Sequence, residues 1–245
     1  MKKLSGPERR TYVARMELIE LTPQLRLLRF PVGNAYLWHE RDALTLIDTG
    51  VAGSGKDVEG AIHFLGFTLA DLRHVIVTHG HDDHHGALAE IAADATVMVH
   101  RADAPVVRGE AAQQTPERAD MPEWEREIYD SLPPMPPVPA ARVDRELEGC
   151  EVIDFGGGAE VIPIPGHTDG SIALHLPAHR LLFAGDTVAN VNGQVILGVF
   201  NADRARTAAS FRRLADLDLG LVCVGHGDPI SGDASACLRE VAARL

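Results

Sequence analysis

Five times in this sequence a short apolar run stops and a residue able to bind a metal follows at once, flanked by glycine. The five exits are Asp48-Thr49-Gly50, His79-Gly80-His81-Asp82-Asp83-His84, Gly166-His167, Gly185-Asp186 and Gly225-His226-Gly227. Short apolar runs bounded by turn residues read as buried strands. Glycine at a strand exit permits φ > 0 and close backbone approach, which a loop folded round an ion needs. In sheets of this kind sites gather beyond the strand ends. The chain must therefore fold so that five exits, far apart in sequence, converge.

The second exit carries the most chemistry. Within Thr78-His79-Gly80-His81-Asp82-Asp83-His84-His85-Gly86, four side chains able to bind a metal fall within six residues: His79, His81, Asp83 and His84. A strand over 72–77 leads in and a helix from about Asp83 to Ala93 leads out. Imidazole nitrogen and carboxylate oxygen are standard ligands for zinc and its neighbours, whereas such a loop makes a poor core.

Taken in order, residues 1–11 read as a tail. Val13 to Leu21, Leu25 to Phe30, Ala35 to Trp38 and Leu44 to Ile47 follow as strands of an antiparallel start, and a helix runs from about Lys56 to Leu65. Thr68 and Asp71 have capping-box spacing. The strand Arg73 to Val77, the helix after the histidine loop and the strand Thr96 to His100 make a βαβ alternation, which favours a sheet carrying helices on one face. Residues 101–142 differ: a short helix at Ala102 to Gly109, a mixed charged stretch at Ala119 to Tyr129, then five prolines between Pro133 and Pro139 that exclude a regular helix or central strand. This segment is expected to be an insertion lying over the scaffold as a lid within a single domain spanning 1–245. Strands resume at Arg145 to Leu147, Glu151 to Phe155 and Glu160 to Ile164, the last two a hairpin about Gly156-Gly157-Gly158. Ile172 to Leu176, Arg180 to Ala184 and Leu219 to Val224 complete them, with helices at about Arg204 to Leu217, capped by Asp203, and Ala234 to Leu245.

Composition narrows the class. With 45% hydrophobic residues the chain can build a core without disulfides, and Cys150, Cys223 and Cys237 form no CxxC pair. A net charge of −12 disfavours nucleic-acid partners, because such a chain repels phosphate backbones. No apolar run approaches the roughly 18 residues of a membrane span, and no apolar region follows the basic start, so no signal peptide and a cytoplasmic protein are expected.

The runs T-H-x-H-x-D-H at 78–84, P-G-H-T-x-G-S at 165–171, G-D at 185–186 and G-H-G at 225–227, with I-D-T-G at 47–50, span nearly the whole chain. In this order they resemble the metallo-β-lactamase fold superfamily of hydrolases. The resemblance implies an α/β fold, a four-layer αββα sandwich of two similar halves with the metals at one edge. It also implies two divalent ions, zinc first with iron or manganese as alternatives: one on His79, His81 and His167, the other on Asp83, His84 and His226, with Asp186 bridging. The residues agree with that division. His79 and His81, two apart on an extended loop, can point the same way, and a carboxylate such as Asp186 has two oxygens. Water shared by two such ions has its pKa lowered toward ~7, giving a hydroxide that can attack an electrophilic carbon or phosphorus. Asp83 and Asp186 are then the catalytic carboxylates, Asp83 orienting the nucleophile or moving its proton. Asp48 is expected to orient a ligand or brace the loop. His85 reads as supporting rather than ligating, and Asp228 as a turn residue. His39, His63, His74, His100, His175 and His179 read as ordinary core or surface residues. Asp169 stands where the family commonly has proline.

Substrate class follows by comparison within the resemblance. The β-lactamases of the superfamily usually carry cysteine or serine where Asp186 stands. Only 19 residues follow His226, so the glutathione-gripping helical domain of hydroxyacylglutathione hydrolases is not expected. The remaining branch is compact hydrolases of small esters, thioesters or lactones, with 101–142 shaping the pocket and a homo-oligomer left open. The alternative is an oxidoreductase similar to persulfide dioxygenases, with one iron on His79, His167 and Asp186.

Overall fold

The computed structural model describes residues 16–92 and 94–245. The tail expected at 1–11 and the start of the strand expected from Val13 lie outside them. Two sheets face each other. The first has β1 (Glu17–Thr22), β2 (Leu25–Arg29), β3 (Asn34–His39), β4 (Leu44–Ile47), β5 (Leu72–Val77), β6 (Thr96–His100) and β7 (Arg145–Leu147), hydrogen-bonded in sequence order. Pairing is antiparallel through β4 and parallel from β4 to β7. The second has β8 (Val152–Ile153), β9 (Ala159–Pro163), β10 (Ile172–Leu176), β11 (Leu181–Phe183), β14 (Leu221–Cys223) and β15 (Ile230–Ser231), in the order β15-β14-β11-β10-β9-β8. A hairpin, β12 (Val188–Val191) with β13 (Gln194–Leu197), stands apart.

Side chains on a strand alternate between its faces, and here both faces are buried. On the first sheet Leu46, Val75, Val77, Val97 and Val99 pack against Val58, Ala61 and Ile62 of α1 (Gly55–Phe64) and Leu88 and Ile91 of α3 (Leu88–Ile91). Their neighbours Ile47, Ile76 and Met98 point the other way. There they meet Ile172, Leu174, Leu176 and Phe183 of the second sheet, with Tyr36 edge-on to Phe183 at 5.4 Å between centroids. The outer face of the second sheet (Ala173, Leu182, Val222) packs on Phe211 and Leu214 of α6 (Arg204–Ala215) and Leu238 and Val241 of α7 (Ala234–Ala242). Asp203 and Asp233 cap these two helices by accepting the Arg206 and Ala236 amides. Three apolar clusters between four layers make the αββα sandwich.

Parallel pairing of β4 with β5 and of β11 with β14 places Asp48, His79, Asp186 and His226 at strand exits on one edge. Two departures from the sequence pattern matter. The helix expected from Asp83 to Ala93 is two single turns, α2 (Asp82–His85) and α3. Thr49 is the cause: its amide and hydroxyl donate to the His84 carbonyl, at 2.7 and 3.1 Å, and its hydroxyl accepts the Ala87 amide. Gly86 is pressed on the Val51–Ala52 backbone, where a Cβ would stand 2.3 Å from the Ala52 nitrogen. Between Thr187 and Asp203, where the pattern names no element, lies the β12–β13 hairpin. Its turn residues Asn192 and Gly193 both have positive φ, the geometry Asn-Gly favours.

The 101–142 segment contains α4 (Ala104–Val107) and α5 (Glu123–Ser131), with no regular element over the proline run. Glu125 of α5, 1% exposed, accepts the Phe200 amide and pairs with Arg204 at 2.8 Å. Tyr129 meets Phe200 edge-on at 5.2 Å. Among the described residues no helix is long and apolar enough to cross a membrane.

Candidate metal centre

The seven residues singled out as ligands come together at one sheet edge. Three groups have ligand atoms within 4.8 Å of one another: His79, His81 and His167; His79, His84 and Asp186; and Asp83, His84 and His226. Asp186 is central. Its Oδ2 lies 3.1 Å from His226 Nε2, 3.5 Å from His167 Nε2 and 3.9 Å from His79 Nε2, while Oδ1 lies 3.3 Å from His84 Nε2. Asp83 Oδ2 stands 3.2 Å from His226 Nε2 and 3.7 Å from His84 Nε2. Gly225 makes room for the central carboxylate, since a Cβ there would sit 1.8 Å from Asp186 Oδ1.

The surrounding hydrogen bonds decide which ring nitrogens are bare. Asp48, 2% exposed, accepts the Thr78 amide on Oδ1 at 2.7 Å. Its Oδ2 accepts the Thr78 hydroxyl at 2.8 Å and His84 Nδ1 at 2.9 Å. A carboxylate only accepts here, so His84 donates through Nδ1 and Nε2 is the nitrogen it presents to Asp186 and Asp83. The Thr78 hydroxyl, its proton spent on Asp48, accepts from His79 Nδ1 at 3.0 Å and leaves His79 Nε2 bare. His81 donates through Nε2 to the Gln114 carbonyl at 2.7 Å, which leaves Nδ1 facing His167 Nε2 at 2.9 Å.

Charge follows from the same geometry. Burial first, then the neighbouring His84 in the one case and His81 in the other, lowers the His79 imidazole well below its ordinary range and His167 to about 3. Burial also works against protonated His84 and His226, but carboxylates outweigh it. Asp186, Asp83 and Asp48 raise His84, and Asp186 and Asp83 take His226 to about 10. For Asp83 and Asp186 burial again opposes the charge, and the imidazoles of His84 and His226 hold both carboxyls below the usual range.

This donor set fits divalent cations. His79 Nε2, His84 Nε2 and Asp186 Oδ1 are buried and find no hydrogen-bond partner among the described residues. Each such group costs about 1–3 kcal/mol when left unpaired. Three unpartnered ligand-type atoms, two imidazole nitrogens and a carboxylate oxygen, grouped within 4.8 Å suit a cation such as zinc.

Residues that the sequence pattern did not single out hold the loops. Asp103, 2% exposed, accepts the Gly80 amide at 2.7 Å, the Thr168 hydroxyl at 2.6 Å and the Gly170 amide at 2.9 Å, stapling the first histidine loop to the one bearing His167. Asn34 Nδ2 donates to the Val224 and Gly227 carbonyls at 3.0 and 2.8 Å, and its amide to Gly225, so the first sheet holds the His226 loop. Neither belongs to the five strand exits that carry ligand-type residues. His85 is buried and belongs to none of the three groups, and burial takes it down to about 4. His175 pairs with Glu160 at 3.1 Å and His179 lies edge-on to Trp38 at 4.8 Å, so both are accounted for away from the centre. Asp228, expected as a turn residue, forms an ion pair with Arg29 at the cavity rim.

The centre opens into a cavity of about 640 Å³. His81, Asp83, His167, Asp186 and His226 form its floor, and Phe30, Val32, Tyr129, Leu132, Met135 and Phe200 make an apolar wall.

The family model of the metallo-beta-lactamase superfamily matches residues 28–226. The chain belongs to this superfamily. A Bacillus subtilis member described as a probable metallo-hydrolase, YflN, is 30% identical over 241 residues, covering 89% of each chain. A hydroxyacylglutathione hydrolase of Fuscovulum blasticum is 32% identical over 197 residues, and this chain covers 61% of it. A superfamily structure from Thermus thermophilus superposes with a TM-score of 0.68 at 24% identity, covering 92% of this chain and 80% of that one. The structural likeness supports the fold that the three apolar clusters define.

Proposed function

We propose that this metallo-beta-lactamase superfamily member is a hydrolase of small esters, thioesters or lactones that works with two divalent ions, zinc first and iron or manganese as alternatives. In this reading His79, His81 and His167 hold one ion, Asp83, His84 and His226 the other, and Asp186 serves both. The observation that carries it is the position of Asp186, whose two oxygens face His84 on one side and His79, His167 and His226 on the other. When bound, such ions supply Lewis acidity and lower the pKa of a coordinated water toward ~7. The chain supplies the rest. Asp48 and Thr78 fix the His84 and His79 tautomers. Asp83, at the cavity floor with a side chain 19% exposed, orients the nucleophile and accepts or returns its proton.

The apolar wall favours substrates with an uncharged hydrocarbon part. Arg29 is the lone Lys or Arg among the described cavity-lining residues, and Asp228 pairs with it. Among relatives, the hydroxyacylglutathione hydrolase and an acyl-coenzyme A thioesterase of Gallus gallus (34% identical over 157 residues, 52% of its length) bear thioesterase-type names, which favours carboxylic ester and thioester chemistry. The segment 101–142 is read as an insertion shaping this pocket within one domain. A cytoplasmic setting, with neither nucleic acid nor membrane as partner, fits the charge of −12 and the absence of an apolar span among the described residues. A one-iron persulfide dioxygenase would use His79, His167 and Asp186 and give no role to Asp83, His84 and His226.

The test is metal analysis of the purified chain with a panel of thioester, lactone and phosphodiester substrates. Two ions per chain and turnover of a thioester or lactone are expected, both lost in His81→Ala and Asp186→Ala. One iron with oxygen uptake on a persulfide, or a metal-free variant that still turns over, overturns the reading.

A further inference from the structure

Segment 101–142 does more than cover the cavity, because one of its residues spans two ligand-bearing loops. Gln114 accepts the His81 Nε2 proton on its main-chain carbonyl at 2.7 Å. Its side chain makes two bonds to Asp169, two residues beyond His167. Gln114 Oε1 accepts the Asp169 amide, and Gln114 Nε2 donates to Asp169 Oδ2 at 2.7 Å. The other oxygen, Asp169 Oδ1, pairs with Arg206 of α6. Next door, Gln113 Oε1 accepts the Asp82 amide at 3.1 Å.

These bonds carry unusual weight locally. Residues 112–117 form no helix or strand, and their amides donate no hydrogen bond among the described residues. The Gln114 carbonyl is therefore held in place by its own side chain's grip on Asp169 and by Gln113. A carbonyl can only accept, so it requires the proton on His81 Nε2 and leaves Nδ1 bare toward His167. Partners of this kind fix the ring orientation and tautomer of a ligating histidine.

We propose that Gln114 is a positioning residue for the metal centre, locking His81 with Nδ1 toward the ion and setting its spacing from His167. This rests on the two-ion reading above. Asp169 is then the other half of a clamp, its two carboxylate oxygens holding Gln114 on one side and Arg206 on the other.

The test uses the full chain, with cobalt(II) as probe, in wild type, Gln114→Glu, Asp169→Asn and the double variant. Affinity is read by competition with a chromophoric chelator, coordination by the cobalt absorption bands, and folding by the melting temperature of the ion-free proteins. Gln114→Glu sets two carboxylates face to face, and Asp169→Asn sets amide against amide. The double variant restores an acceptor at 114 opposite a donor at 169, and the amide oxygen at 169 still faces Arg206. Each single change is expected to weaken cobalt binding roughly tenfold or more and to alter the bands, and the double change to recover both. Single variants that bind like wild type, a double variant no better than the weaker single, or a loss that tracks ion-free melting overturns the clamp. A wild-type chain that takes up no cobalt overturns the metal-centre reading itself, and the clamp with it.

Discussion

Replacing Asp48 by asparagine tests how the centre is wired. The backbone is kept, since asparagine tolerates the left-handed φ of 58° found there. The hydrogen bonding is not. Asp48 presents acceptors to three donors, the Thr78 amide, the Thr78 hydroxyl and His84 Nδ1. An amide has one acceptor atom, so either rotamer turns its NH₂ toward a buried donor. The His84 ring can relieve the clash only by moving its proton to Nε2, the nitrogen that faces Asp186 and Asp83. Losing a charge-assisted bond at this depth costs about 1.5–3 kcal/mol, which corresponds to roughly a ten- to hundredfold loss of metal affinity. Zinc competition against a chromophoric chelator measures it, with circular dichroism to show that the fold persists. Asp48→Asn protein that binds zinc as tightly as wild type would refute the tautomer argument.

Other expectations follow from single contacts. Gly225→Ala drives a Cβ onto the Asp186 carboxylate, so metal content should fall while the sandwich still forms, and full metal occupancy would show that the carboxylate has room to move. Stripping the chain with a chelator should lower its melting temperature, because free metal at a hundredfold excess over Kd stabilises by about 2.7 kcal/mol; identical melting with and without zinc contradicts a bound ion. Asp144 works by a different route. Burial opposes its charge, but the Val97 amide and Arg142 outweigh it and hold its carboxyl below the usual range. A lowered native pKa gives stability that is present above the ordinary value of about 3.9 and lost as pH falls through the native one. Asp144→Asn should therefore melt below wild type at pH 7, with the gap closing in acid, and a gap independent of pH would contradict that sign.

Much of this architecture can be read before any coordinates. Short apolar runs at Leu44 to Ile47 and Leu72 to Val77 announce strands, and ligand residues beside glycine announce the exits that converge. The less legible parts are those where distant bonds override local pattern. The periodicity after His84 is helical, but Thr49, 35 positions upstream, takes the His84 carbonyl and stops the helix. The Asn192-Gly193 turn was readable in principle, because that dipeptide is a strong hairpin signal. Asp103 and Asn34 were not, since a carboxylate or amide that bonds only to main-chain groups or a hydroxyl from other loops has no local signature. Gln114 is harder still, because its main-chain carbonyl, which sequence cannot distinguish from any other, is the atom that reaches His81.

The division of the ligands between the two sheets has a consequence for biogenesis. His79, His81, Asp83 and His84 are synthesised long before His167, Asp186 and His226, and neither group alone completes a set. Each of the three ligand groups draws on both stretches of the chain, so none of them is assembled until both have been made. The middle apolar layer must dock the sheets before any of the groups exists, and the cavity that then leads to them carries the Arg29–Asp228 ion pair on its rim.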